Sequence, residues 1–288
     1  MATMVQRLAI VIAAATAGAI WLSVRGPLGA PDGSTGLSVF SAMAHPVAAA
    51  LLMLAAGLPA AVLAVMVSAT GHPLSGVFST AAGLGVLAAA TGPIDGYLRR
   101  MTLPEGFGRL GFEVLLLFVG WGCLLAVLGW VRGPIRDRLP KRLRGPHIGG
   151  GLGRLDRSAA LAGLVCAVVG GVLANVLIQS SDSGQVIGSL VLAFALGGMA
   201  GQMALGPSNP TAILLSPAVV AIVAYWWVMI DQTSGEQVLA TWYAGKLPGA
   251  ALALPIHYAS AAVAGCALGI GWAQTMIAAK QQESGVSG

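Results

Sequence analysis

Ionisable side chains are what this sequence most lacks. Only 9% of its 288 residues are charged, 15 Lys/Arg and 10 Asp/Glu, against about a quarter in soluble domains. A water-facing globule of this length is excluded, because too few charges exist to coat it. Aromatic residues are scarce too, at 6%. Cysteine occurs as Cys123, Cys166 and Cys266, all within apolar stretches. An odd number with no CxxC spacing excludes a disulfide framework and supports no zinc site. We expect all three to be small buried hydrophobes.

Signatures of soluble chemistry are also missing. There is no GxxxxGK[ST] phosphate loop, no HExxH and no GxSxG elbow. No pair of acidic clusters exists to hold magnesium on a lipid phosphate. His45, His72, His147 and His257 do not form two facing pairs at membrane depth, which argues against a two-haem bundle. Gly33-Ser34-Thr35-Gly36 resembles an intramembrane serine motif, but it falls in an expected loop beside no histidine. No cofactor and no metal are expected.

What is present is apolar. Residues of that kind make up 57% of the chain, the mean hydropathy is +0.84, and there are 41 glycines. The disordered class fails on hydropathy, and collagen fails because the glycines follow no triplet period. The expectation is an all-α, polytopic transmembrane bundle, since only helices and closed barrels satisfy their backbone in lipid. A span needs about 20 apolar residues. Eight stretches qualify: Val5–Val24, Pro46–Ala69, Leu74–Thr91, Leu110–Val131, Ser158–Gln179, Gly184–Leu205, Thr211–Ile230 and the overlong Leu247–Ile277.

Several details follow from local chemistry. Pro46 reads as a helix start, with Leu37 to His45 along the surface. Pro59 lies inside a span and predicts a kink. The third stretch is rich in Ala, Gly, Ser and Thr, and suits the bundle interior. Pro255 divides an interfacial piece from the true last span. The start, Arg7 followed by Leu8 to Leu22, resembles a secretory signal, but Arg7 orients an uncleaved anchor equally well, and an uncleaved span is expected.

Of the 15 basic residues, eight lie between Arg132 and Arg157. In a membrane protein such a block is an orientation signal and a contact for anionic headgroups, and nucleic-acid binding is not expected. Arg132, Arg136, Arg138, Lys141, Arg142 and Arg144 are the residues concerned. The block splits the chain into a four-span half (1–131), a basic linker (132–157) and a second four-span half (158–288). Placing both termini and the linker in the cytoplasm leaves ten basic residues inside and five outside. With four spans each, the halves enter in the same sense, so any repeat is parallel. His72-Pro73 to Ser79 and Asn209-Pro210 to Ser216 share only the proline and the last serine, so the repeat is a hydropathy suggestion alone. Trp21, Trp130, Trp226, Trp227 and Trp272 lie near expected span ends, where amphipathic rings settle.

Gly197 and Gly201, and Gly265 and Gly269 extended by Ala261, have the GxxxG spacing of close helix packing. It fits either a dimer interface or contacts inside the bundle. Ionisable groups in spans are costly and often functional. Glu113 lies near the start of the fourth span with Arg109 one turn earlier, which fits either an interfacial ion pair or a proton or cation site. His257 is the histidine set deepest in a span, and Asn175 is an uncharged polar group on the fifth. All three fall in the outer half, so a shared outward cavity is geometrically open to them. On the inner side Gln202 precedes the turn Gly206 to Pro210, where Asn209 is placed to cap the next helix or to take part in a broken-helix site. Asp231 to Lys246, with Asp231, Glu236, Trp242 and Tyr243, reads either as a solvated loop with interfacial aromatics or as a segment that lies on headgroups or binds a partner.

Two functions fit this pattern. One is a carrier or channel for a small, weakly charged solute, because eight crossings leave almost nothing outside the membrane to act with. The other is a non-catalytic structural or assembly subunit, alone or as a homodimer with other membrane partners. An intramembrane enzyme has no supporting constellation.

Overall fold

The computed structural model describes residues 4–28, 46–100, 103–139, 152, 156–206 and 209–286. Its elements are α1 (Met4–Ser23), α2 (Arg25–Leu28), α3 (Pro46–Thr70), α4 (Pro73–Thr91), α5 (Asp95–Leu98), α6 (Glu105–Arg138), α7 (Arg157–Leu177), α8 (Ser183–Leu205), α9 (Thr211–Asp231), α10 (Gly235–Tyr243), α11 (Pro255–His257) and α12 (Val263–Val286). A 3-10 turn at Gly249–Leu252 and a π-helical turn at Tyr258–Ala262 flank α11. Among the described residues there are no strands. Among the described residues eight helices are long and apolar enough to cross a bilayer: α1, α3, α4, α6, α7, α8, α9, and the run Pro255–Gln282 that joins α11 to α12. The chain is an integral membrane protein of helical-bundle class, and its exposed Leu, Val and Trp side chains form the surface that lipid covers.

Start and stop signals account for most helix ends. Pro73 occupies the first turn of α4, and the Nδ1 of His72 accepts the backbone N–H of Leu74 at 3.2 Å. Asp156 and Asp182 cap α7 and α8 by accepting N–H groups three residues on. α8 stops at Gly206, whose φ of 52° suits a residue without Cβ. α3 runs unbroken through Pro59. α6 exceeds the expected 110–131. Its 34 residues span about 51 Å at 1.5 Å per residue, and they carry the helix into the basic block past Arg132 and Arg136.

The two halves are interleaved. In each, the first span packs on the second and third, and the second packs on the fourth. Each fourth span then leaves its own half. α6 packs extensively on α9, the third span of the other half, while α12 with its π turn packs on α4. The basic linker marks a break in hydropathy across which contacts pass freely.

Glycines make these crossings possible. A Cβ at Gly197 would lie 2.8 Å from the Cys166 carbonyl oxygen of α7, and one at Gly201 would lie 2.5 Å from that of Ala162. Gly265 presses on the backbone of Val191 in α8, and Gly269 on that of Ala195. Both GxxxG pairs are therefore used inside the bundle, and they form no dimer face.

Trp21 lies near the end of α1, as expected, and faces inward against α3, whereas Trp130 is 82% exposed. One further expectation is corrected. Cys123 is exposed on α6. Cys166 and Cys266 are buried as expected but lie side by side, Sγ to Sγ 3.8 Å, across α7 and α12. In a Cys123→Ala protein, a membrane-permeant oxidant such as diamide should join them. After denaturation neither thiol then reacts with maleimide. Two titratable thiols surviving the oxidant would contradict this helix pairing.

Side chains fasten the end of the bundle nearest the linker. Arg132 Nε donates to the Ser68 carbonyl at 2.7 Å, and Ser68 Oγ donates to the carbonyl of Pro73 at 2.9 Å. Gln6 Nε2 donates to the Thr70 carbonyl. Arg132, expected on lipid headgroups, instead satisfies carbonyls at the end of α3. Arg136 contacts Asp137 at 3.2 Å, and Arg138 is exposed at the tip of α6. Lys141, Arg142, Arg144 and the segment Leu37 to His45 lie outside the described residues.

Burial, and then the adjacent Arg132 charge, hold the His72 imidazole below its ordinary pKa, against a smaller opposing bond from Gln274. The folded state therefore keeps His72 neutral where the unfolded chain, near 6.5, takes up a proton. Stability from this group is present above about 6.5 and is lost as pH falls through and below it. His72→Asn keeps a side-chain acceptor without titrating, so its Tm should fall less on acidification than the parent's. Parallel curves would contradict the assignment.

Candidate functional site

Leu247 to Ala267 is the most deeply buried stretch of the chain. It begins outside any long helix, passes through the 3-10 turn, runs extended at Ala253 and Leu254 (ψ 140° and 157°), and enters a helix at Pro255. The expected interfacial piece before Pro255 is thus threaded through protein instead of lying at the lipid boundary. The reason is compositional: Gly249-Ala250-Ala251 is small enough to press between helices. Gly249 touches the backbone carbonyls of Asn175 and Ile178 at the end of α7, where a Cβ would not fit.

A backbone leaving helical geometry in an apolar interior needs partners for its carbonyls. Two buried tyrosines supply them. Tyr258 hydroxyl donates to the Ala250 carbonyl at 2.6 Å, and Tyr225 of α9 donates to that of Ala253. The two rings meet edge to face at 6.4 Å, with Phe107 against Tyr225 and Phe194 against Tyr258. One turn further, the π-helical turn widens the helix, and the Trp121 indole N–H of α6 donates to the Ala259 carbonyl at 2.8 Å. π turns interrupt helices frequently at functional positions.

His257 lies at this break with no exposed surface. Its Nδ1 accepts the Leu254 N–H at 3.1 Å, closing the first turn of the last span. The proton of the neutral ring then sits on Nε2. Among the described residues that atom has no hydrogen-bond partner of good geometry, although the Ala88 carbonyl near the end of α4 lies within its electrostatic reach.

Glu113 is 1% exposed on α6, eight residues into the helix, while Arg109 is exposed. The carboxyl lies within electrostatic reach of Tyr97 and Tyr225. Tyr97 belongs to the short α5 and donates to the Gly106 carbonyl at 2.8 Å. Burial, and then the Glu113 charge, push its hydroxyl up to about 12 against a smaller opposing effect of Arg109, so it stays a donor.

Asn175 is exposed, on the rim of a cleft of about 410 Å³ at the end of the bundle opposite the linker. Ile178, Gln179, Ser180, Ser181, Trp242, Gly245, Leu247 and Leu252 complete its lining. Leu247 and Leu252 are the floor, and they belong to the threaded segment. The wall carrying Trp242 is α10, a helix where a loop was expected. Ser234 caps it, Val238 is buried beneath it, and Gly245 at φ 65° turns the chain back toward the core.

Asn175 lines the cleft, whereas Glu113 and His257 are buried and are not among the residues that line it. Gln202 and Asn209 lie at the linker end. Gln202 is buried, and its carbonyl accepts the N–H of Gly206. Asn209 Oδ1 accepts from the backbone and hydroxyl of Thr211 at 3.0 and 2.6 Å, which is the capping role. Sequence reasoning missed Tyr225, Tyr258 and Trp121, and read Trp242 only as an interfacial ring. The signal available for them was Pro248 and Pro255 bracketing an overlong apolar run, with tyrosines set in apolar stretches. No protein-family model, curated protein or solved structure matches this chain.

Proposed function

We propose that the protein is a carrier for a small, weakly charged solute that enters at the Asn175 cleft. One observation carries this reading: a segment outside α-helical geometry, Gly249–Leu254, is buried beside a polar cleft and held by side-chain donors from α9 and from the last span itself. Irregular backbone at membrane depth is tolerated only where protein buries it or a cavity borders it. Carriers place their sites at such interrupted helices. Tyr225 anchors the segment six residues before the end of α9, about 9 Å along the helix axis, so the break lies below the headgroups. The glycine-lined contact of α12 with α8 lets the last span slide with little side-chain rearrangement, and the Pro248–Pro255 segment serves as its hinge. The excess of basic residues in the linker favours an orientation with the linker in the cytoplasm and the cleft outside.

The test is uptake of a panel of labelled solutes by vesicles holding the purified protein. Uptake of at least one solute, lost in His257→Ala and in Leu252→Trp while both variants stay monodisperse, supports the carrier. A stoichiometric membrane partner on purification, with no uptake by the isolated chain, would replace it with the assembly-subunit reading. For orientation, Arg144→Cys in a background without other cysteines should resist an impermeant maleimide in intact cells and react after lysis.

A further inference from the structure

We infer that the cleft binds a neutral, polyhydroxylated solute of monosaccharide size, stacked on Trp242. The inference rests on the carrier reading for its purpose and on the cleft alone for its chemistry.

Size comes first. About 410 Å³ lies toward the small end of the roughly 300–1,000 Å³ typical of small-molecule sites. The lining comes second. Its polar side chains are Asn175, Gln179, Ser180 and Ser181, and none of its residues is ionisable. Ser180 is engaged with Gln185. Asn175, Gln179 and Ser181 make no side-chain hydrogen bond among the described residues. Two amides and a hydroxyl, each able to donate and accept, thus line the cleft together with an indole ring. Vicinal hydroxyls offer the same alternation of donor and acceptor.

Charge is selected against from both directions. α7 ends at the cleft, and its last carbonyls, Asn175 and Ile178 among them, face the threaded segment. The negative end of a helix dipole repels an anion. The guanidinium of Arg99 sits 6.0 Å from the Trp242 ring centre, so a cationic ligand beside that ring meets like charge. A neutral ligand escapes both effects. The π face of Trp242 is negative, and the weakly positive C–H groups along one face of a sugar ring complement it. Tyr243 packs beside Trp242 at 4.6 Å. Leu247 and Leu252 close the bottom with an apolar floor that suits the carbon skeleton.

Binding is measured on protein in phospholipid nanodiscs, free of glycoside detergents, by saturation-transfer NMR and Trp fluorescence. The probes are glucose, galactose, myo-inositol and glycerol against glutamate, choline and inorganic phosphate. At least one of the neutral polyols should bind saturably. Trp242→Ala and the Asn175→Ala/Gln179→Ala pair should each weaken it by roughly tenfold or more, the loss expected for a stacking face or two hydrogen bonds. Trp242→Phe keeps a ring and should retain part of the affinity, and lipid-facing Val172→Ala should change nothing. Failure of every polyol to saturate, a charged probe binding more tightly, or full affinity in folded Trp242→Ala would overturn the inference. A protein that binds a polyol but moves nothing across a vesicle refutes the carrier and leaves the site. A protein that transports a different solute and binds no polyol refutes the site and leaves the carrier.

Discussion

Gly269→Ala is expected to destabilise the bundle by about 1–3 kcal/mol, the usual cost of overpacking a tight interior, and to lower the Tm of the purified protein. The added Cβ has nowhere to go. It would run into the Ala195 carbonyl and lie 2.8 Å from both the Ala195 carbonyl carbon and the Met199 amide nitrogen. All of these are backbone atoms, so no rotamer change relieves the clash and α12 must back away from α8. Gly271, two residues on in the same helix, has nothing within 4 Å of the same position. Gly271→Ala should be neutral or slightly stabilising, since alanine is the better helix former by about 1 kcal/mol. Heat-induced aggregation of the two variants side by side isolates the contact from propensity. Equal Tm values would mean that α8 and α12 are not in backbone contact.

The second large effect concerns the tyrosines on the threaded segment. Removing the Tyr225 or the Tyr258 hydroxyl leaves a buried carbonyl, of Ala253 or Ala250, without a donor. Each costs about 1–3 kcal/mol, because an unsatisfied buried group keeps its full desolvation penalty. Both substitutions act on one six-residue stretch whose rings also touch at 6.4 Å, so their effects should not add. Tyr225→Phe/Tyr258→Phe is expected either to lose the folded protein from detergent extracts or to let the segment refold as ordinary helix. In the second case the protein stays monodisperse but its cleft loses its floor and its ligand. Two phenylalanine variants with parental Tm and parental binding would show that these hydroxyls hold nothing.

Sequence alone makes the spans legible because hydropathy over about 20 residues is a property of the chain and not of its neighbours. α3, α7, α8 and α9 begin and end within two residues of where composition places them. α6 escapes at both ends. Glu105 starts it and Arg138 finishes it, and charge at helix ends does not stop a helix that projects beyond lipid. Side-chain direction is less legible. Trp21 and Trp130 look equivalent as interfacial aromatics, yet one packs on α3 and the other faces outward. Cys123, Cys166 and Cys266 look equivalent as small hydrophobes, and only the last two are core. In an apolar chain both faces of a helix are hydrophobic, so periodicity carries little information on which face lies inside.

The site was the least legible part. Glu113, Asn175 and His257 drew attention as polar groups in apolar runs, and each does occupy a distinctive place. The least legible element is the stretch between Pro248 and Pro255, whose residues are as apolar as a lipid-facing helix but small. Smallness lets the segment enter the bundle, and hydropathy does not distinguish entering protein from entering lipid. Trp242 was legible only as an interfacial ring, because its role depends on Gly245 folding α10 back over the end of α7.

The central claim is that residues 249–254 are threaded through protein beside an open cleft. In a protein whose three native cysteines are replaced, single cysteines at Asn175 and Lys246 should react rapidly with an impermeant maleimide in nanodiscs. Single cysteines at Ala251 and Ala253 should stay unlabelled until the protein is denatured. Labelling of Ala253→Cys at the rate of Lys246→Cys, in a protein that still elutes as one species, would place the segment at the surface and contradict the account.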